Sequence, residues 1–396
     1  MNPTDPDVPQ IELARPEPAP EPATVEALPT AIPTPPETQP VETRILLSIL
    51  LGKNGLRAGW SIALFVILTA IFVAIVGVVF AALHLVDPKA THFAPSAVLF
   101  SELTFVLAIA GAAAVVALIE RRPGNLLAFN LLGPHRVLRF GEGLVAGFAA
   151  LSALIGALAW GHWMTFGPVA LSGAQIFKFA AIWAIAFLCV GFVEEGIFRC
   201  YLQFTLARGI NFWWALGLVG LICADLLLRG KGNGIWGVYI MALLGLVPCL
   251  ILYLRKVEGE GFWQAAWVTS TLFGFIHTGN NGENWIGIFA AAAIGFVFVV
   301  SIRVTGSAWW AIGCHAAWDW GLTYFYGAAD SGNVAIGHYL SSAPAGKEFW
   351  SGGSDGPEGS VLVLGALLLL LVLLLAVYGR RKPAVIAAST SELAAG

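Results

Sequence analysis

Charge is scarce in this sequence. Asp, Glu, Lys and Arg make up 11% of the 396 residues, and 58% are hydrophobic. A soluble domain carries about a quarter charged residues, and here the mean hydropathy is +0.80, so a water-soluble globular fold is excluded. Neither sign of charge dominates. The net charge is −3 and no basic stripe occurs, which leaves nothing to follow a phosphate backbone and excludes nucleic acid as a partner. Cysteine is sparse and unpatterned: Cys189, Cys200, Cys223, Cys249 and Cys314 form no C-x-x-C pair. That excludes a disulfide framework and a thiolate metal cluster and leaves buried thiols. No H-E-x-x-H helix is present, so the most specific local zinc-hydrolase signature is missing. Serine-nucleophile chemistry reads as weaker still, for want of a G-x-S-x-G elbow.

What is present is a succession of long apolar runs. Ten of them fall near residues 60–86, 95–119, 141–167, 176–206, 211–228, 235–254, 262–278, 285–302, 307–326 and 359–379, each near the length that crosses a bilayer as a helix. The fold class is therefore all-α, a polytopic transmembrane helical bundle. The run at 262–278 is short and rich in Ser, Thr and Gly. Residues 1–43 differ from the rest: they hold 12 of the 21 prolines, eight acidic residues and one basic residue. Such a segment buries too little apolar surface to offset its ordering entropy and reads as a disordered tail rather than a signal peptide. Alternating the ten runs with the tail inside places fourteen Lys and Arg on the inner side and five on the outer. The positive-inside rule then predicts cytoplasmic termini, including the tail at 380–396. The connection 123–140 reads as an amphipathic stretch on the membrane surface, and the Gly- and Ser-rich loop 327–358 as a lid or a disordered segment.

Ionisable residues inside the runs carry the functional information. Glu194, Glu195 and Arg199 lie in the fourth, His277 ends the seventh, and His315 and Asp319 lie in the ninth. Each charge at the bilayer centre costs on the order of 2.5–3.5 kcal/mol, so such groups persist where they pair or work. At about 1.5 Å per residue, all three runs bring these groups to a similar depth, roughly 18–25 Å from their inner ends, which predicts one intramembrane site. Glu195 and Arg199 share a helix face at i,i+4, so Arg199 neutralises one carboxylate, while Glu194 points about 100° away and remains available. His315 and Asp319 repeat the spacing, and the carboxylate orients the imidazole. Two Glu, two His, an Arg and an Asp suit water activation: Glu194 takes the proton with His277 assisting, and His315 with Asp319 faces the developing oxyanion. The alternative is a metal site, Zn²⁺ or another divalent ion on Glu194, His277 and His315 with a position open for water.

These residues also form an ordered set of motifs. EEGIFR at 194–199, FGFIH at 273–277 and HAAWD at 315–319 match E-E-x-x-x-R, F-x-x-x-H and H-x-x-x-N/D. In this order on apolar helices, the chain resembles the CAAX-protease and bacteriocin-processing (CPBP, or Abi) family of intramembrane proteases over residues 140–326. The resemblance implies an intramembrane endopeptidase of the bacterial cytoplasmic membrane that hydrolyses membrane-associated peptides or proteins by activated water, with either a metal-dependent or a metal-free, glutamate-driven mechanism. It implies Glu194, Glu195, Arg199, His277, His315 and Asp319 as the catalytic set. Two departures stand out. Glu194 and His277 are 83 residues apart, more than the family pattern needs, and 211–254 reads as an inserted helical hairpin. The last motif ends in Asp319, which in its ionised form donates no hydrogen bond and so suits orientation of His315.

Several polar residues have plainer readings. Asp225 pairs with Arg229 one turn on. Glu102 lies near the outer end of its run and reaches water. Asn280 and Glu283 follow His277 as solvated loop residues or at the mouth of the site. GLVAG at 143–147 fits the small-residue packing motif, but such matches are frequent in helices this rich in glycine. The rival functions are a non-catalytic membrane scaffold and a proton-coupled transporter; internal repeats, common in transporters, are not evident.

Overall fold

The computed structural model describes residues 47–52, 55–85, 93–120, 131, 135–229, 234–280 and 282–379. The tails at 1–43 and 380–396 and most of the 123–140 connection lie outside the described residues. All ten apolar runs are helical: α1 (Ala58–Ala82), α2 (Pro95–Glu120), α3 (Arg136–Trp160), α4 (Ala174–Glu195), α5 (Phe212–Arg229), α6 (Gly234–Arg255), α7 (Glu260–His277), α8 (Trp285–Thr305), α9 (Trp309–Asp319) and α10 (Leu362–Tyr378). Among the described residues, seven helices are long and apolar enough to cross a membrane by length and composition. The other three are α7, with its Ser, Thr and Gln, the 11-residue α9, and the 17-residue α10. Two helices do not end where their α-helical pattern does. α4 continues as a π-helix over Gly196–Leu202 and an α-helical turn over Gln203–Ala207, and α9 continues as a π-helix over Trp320–Phe325.

Burial separates the inner helices from the outer ones. α8 is 67% buried over its most apolar window and α1 only 6%, so α8 sits in the core and α1 presents Val66, Ile67, Ile71 and Val78 to lipid. An apolar helix without an amphipathic stripe is stable only in such surroundings. α9 packs against α3 and α4, α2 bridges α1 and α4, α10 covers α3 and α8, and the α5–α6 hairpin lies against α7.

The α3–α9 contact depends on glycine. A Cβ on Gly147 would stand 2.2 Å from the Cys314 carbonyl oxygen, one on Gly143 2.2 Å from that of Trp310, and one on Gly313 2.4 Å from that of Phe140. The GLVAG string thus has a packing function that its sequence frequency concealed: it lets two backbones touch, as small residues do between membrane helices. Gly147→Ala forces α9 away at the residue before His315. It is expected to destabilise the bundle by about 1–3 kcal/mol, read as a lowered thermal midpoint in detergent. An unchanged midpoint would show that the helices part without strain.

The two ends of the bundle are distinct. At one, a strand between α3 and α4, β3 (Met164–Phe166), pairs antiparallel with β4 (Ser342–Pro344) of the long loop. At the other, Glu120 at the end of α2 accepts from Ser61 Oγ at 2.5 Å and faces Arg208 Nη1 at 3.4 Å. There, too, a short hairpin of β1 (Leu51–Gly52) and β2 (Gly55–Leu56) leads into α1. Residues 136–140 correct the expected surface stretch. They form the first turn of α3, and Arg139 is 6% exposed, 2.6 Å from Glu142. Asp225 and Arg229 pair at 2.5 Å.

Candidate active site

The C-terminal part of α4 faces α9 across Gly191, whose missing side chain leaves room for Ile312 and the Cβ of His315. This contact brings together residues 120 positions apart. Glu195 is fully buried, with Oε1 accepting from His315 Nδ1 at 2.9 Å and Oε2 3.2 Å from Arg199 Nε. The Arg199 pair lacks hydrogen-bond alignment; the guanidinium instead lies 4.2 Å over the Phe273 ring and 5.6 Å from those of Phe198 and Phe298. A desolvated guanidinium over aromatic faces is stabilised by the ring quadrupoles. Gly295 of α8 makes space for it, since a Cβ there would meet Nη2 at 2.6 Å.

His315 Nε2 lies 3.4 Å from Asp319 Oδ2 and 3.7 Å from Glu194 Oε2. The structure therefore modifies the expected orienting pair: the shortest bond to His315 comes from Glu195 on the neighbouring helix, with Asp319 on the opposite ring nitrogen. Spacing within α9 could reveal only the second partner. Glu194 keeps 28% of its side chain exposed and lines a cavity of about 380 Å³ together with His277, His315 and Asp319. His277 Nδ1 donates to the Phe273 carbonyl at 2.7 Å, which fixes the tautomer and leaves Nε2 as a lone-pair acceptor. The π-helical turns begin directly after Glu195 and after Asp319, so both site helices change their winding at the site, where such turns recur in proteins. All six residues expected at the site are within this one region, with Glu195 and Arg199 behind the cavity wall formed by the other four.

The candidate metal ligands Glu194, His277 and His315 are not gathered as a coordination set. Among the described residues no group of three or more His, Cys, Asp or Glu is arranged to hold a metal ion, and both nitrogens of His315 face carboxylates.

Other residues at the cavity were not evident from the sequence. Glu102 of α2, expected to reach water, instead lines the cavity; its signal was a lone carboxylate inside an apolar run. The loop 327–358 is folded, not loose. Asp330, Ser331, Asn333 and Glu358 line the cavity. Trp318 Nε1 donates to Glu358 Oε1 at 2.9 Å, Thr323 Oγ1 to Asp330 Oδ2 at 2.6 Å, and the Asn284 backbone N–H to buried Asp355 at 3.2 Å. Asn284 also caps α8 and donates to the Gly352 and Gly359 carbonyls. Asn280 and Glu283, bonded to each other at 2.9 Å, lie at the cavity, the second of the two positions their place after His277 allowed. The loop string GGSDG at 352–356 does spell G-x-S-x-G, but Ser354 is exposed, sits on no strand-to-helix elbow and donates to the Gly282 carbonyl. It has no nucleophile's setting.

Burial sets the titration of this cap. Desolvation, then the neighbouring Asp355, pushes Glu283 up to about 9. Burial and Glu358 push Asp330 up to about 7 and Asp355 up to about 8. Carboxyls that bind protons more tightly folded than unfolded contribute stability that is complete below the ordinary carboxylate range, near 4. That stability is lost as pH rises through 7 to 9. Hydrogen exchange over 327–360, corrected for intrinsic rates, is therefore expected to accelerate progressively from acidic to alkaline pH, and Glu283→Gln to flatten the dependence. A cap equally protected at both ends of that range would refute the assignment.

The fold and site define an integral membrane protein with a carboxylate–histidine centre among its helices. A family model described as "Type II CAAX prenyl endopeptidase Rce1-like" matches residues 249–321, in keeping with the CPBP resemblance. The matched stretch contains His277, His315 and Asp319 and starts after Glu194, Glu195 and Arg199. At the coarse level the match and the apolar helices indicate an intramembrane endopeptidase. No curated protein and no solved structure matches the chain.

Proposed function

We propose that this protein cleaves peptide bonds of membrane-associated peptides or proteins by activating a water molecule at Glu194. The observation that carries this reading is the division of labour between two adjacent carboxylates. Glu195 is fully buried between Arg199 and His315, whereas Glu194 faces a cavity that also presents His277. Glu194 accepts a proton from water as oxygen attacks the scissile carbonyl carbon, and His277 Nε2 accepts the second water hydrogen bond and aligns it. The C=O electron pair moves onto oxygen, where the N–H of His315, oriented through Nδ1 by Glu195, stabilises it by donating a hydrogen bond. The oxyanion pair then re-forms the C=O bond as the C–N bond breaks, and the departing nitrogen keeps the C–N electron pair and takes the proton back from Glu194. In this reading both termini are cytoplasmic and the cavity end of the bundle faces outward, as the distribution of Lys and Arg favours.

The test compares membrane-proteome peptide termini from cells carrying the wild-type chain and Glu194→Gln. Termini that require Glu194 would support proteolysis and name a substrate. Identical termini, together with a phenotype shared by both strains and lost in the null strain, would replace the protease reading with a scaffold.

A further inference from the structure

A second cavity, of about 1030 Å³, opens at the opposite end of the bundle between the start of α1 and the turn that follows α4. Its walls are apolar, with Ile62, Leu206 and Leu218 among them, and two guanidinium groups, Arg57 and Arg208, interrupt them; among the described residues no carboxylate lines it. The two arginines come from facing segments. A Cβ on Gly209, next to Arg208, would stand 3.8 Å from the Cβ of Ala58, next to Arg57. Neither guanidinium is fully used. Arg57 donates through Nε and Nη2 to one acceptor, the Ser48 carbonyl, at 3.1 and 3.0 Å. Arg208 donates through Nε to the Thr205 carbonyl and faces Glu120 through Nη1, both at 3.4 Å, while its Nη2 is buried with no hydrogen-bond partner. Trp60 and Trp214 stand at the cavity, 48% and 65% exposed, and indole rings concentrate at the headgroup level of a bilayer.

An apolar slot with a cationic end at headgroup depth has the chemistry of one ligand class. Hydrocarbon chains fill such a slot without losing water contacts, and paired arginines hold a phosphate through several N–H donors in fixed geometry. Basic pockets between membrane helices bind acidic headgroups for this reason. We propose that this cavity binds an anionic glycerophospholipid, its phosphate between Arg57 and Arg208 and an acyl chain along Leu206, Leu218 and Ile62. The site is separate from the carboxylate–histidine cavity and does not depend on the protease reading.

The experiment is native mass spectrometry of the full chain released from vesicles containing phosphatidylcholine and phosphatidylglycerol. The wild type is expected to retain one phosphatidylglycerol in preference to phosphatidylcholine, and an excess of inorganic phosphate is not expected to displace it. Arg57→Gln should weaken retention about fivefold, and Arg57→Gln with Arg208→Gln about thirtyfold. Arg303→Gln, which removes a charge outside the cavity, should leave retention unchanged. Because Arg208→Gln also removes the cation beside Glu120 and risks the fold, Ala63→Trp provides a second approach. Ala63 is an exposed residue of the cavity wall, and the indole should obstruct the acyl slot with both arginines kept. Equal retention of the two lipids, displacement by phosphate, or undiminished phosphatidylglycerol in a folded Arg57→Gln chain would each overturn the proposal.

Discussion

Glu194→Gln is expected to lower the rate of peptide-bond cleavage by about two to four orders of magnitude, the usual contribution of a positioned general base, with little change in stability. The exchange is isosteric and removes only the capacity to take a proton. Among the described residues Glu194 has one ionic neighbour within 4 Å, His315 at 3.7 Å, and it keeps part of its side chain exposed in the cavity, so the fold does not rest on its charge. The check is a reconstituted cleavage assay on a membrane peptide, run beside a thermal unfolding curve. A variant that unfolds would mean that Glu194 is structural. A variant that cleaves at the wild-type rate would remove it from the chemistry altogether. His277→Ala in the same assay separates roles: a residue that aligns water costs less than the base that accepts its proton, so the residual rate should exceed that of Glu194→Gln.

The largest loss of stability is expected from Arg199→Leu, about 3–5 kcal/mol, the cost of leaving one partner of a buried ion pair uncompensated. Arg199 is 1% exposed, Glu195 fully buried, and the guanidinium fills a box of three phenylalanines. Arg199→Lys is not a conservative replacement there, because an ammonium lacks the planar face that lies over Phe273. Removing both charges tests the explanation. Glu195→Gln with Arg199→Leu leaves no unpaired ion, and the Gln carbonyl can still accept from His315 Nδ1, so most of the lost stability should return. The measurement is the denaturation midpoint of each variant in one detergent. If the double variant is as unstable as Arg199→Leu, packing in the aromatic box rather than charge pairing holds this part of the fold.

The sequence by itself determined the environment, the helices and six polar residues that the structure brings into one region. Charge at 11% and ten apolar runs left no other class, because only helices satisfy their own backbone groups in hydrocarbon without closing a barrel. Glu194, Glu195, Arg199, His277, His315 and Asp319 were legible because a charge inside an apolar run is costly enough to need a reason. Spacing along a helix also gave the Glu195–Arg199 pair, because an i,i+4 relation is local.

Only the tertiary structure decided which groups meet across helices. Gly191 and Gly147 allow α4 and α3 to approach α9, and through that approach Glu195 rather than Asp319 makes the shortest bond to His315. A helical period contains no information about a neighbour 120 residues away. The loop 327–358 was unreadable for a related reason. Its acidic, Gly- and Ser-rich composition is that of a solvated segment, and its order comes from partners elsewhere in the chain: β3, Asn284, Thr323 and Trp318. The cavity joining Arg57 to Arg208 follows the same logic. Each arginine alone is an ordinary interfacial residue, and only the contact of Gly209 with Ala58 sets the two beside one apolar slot.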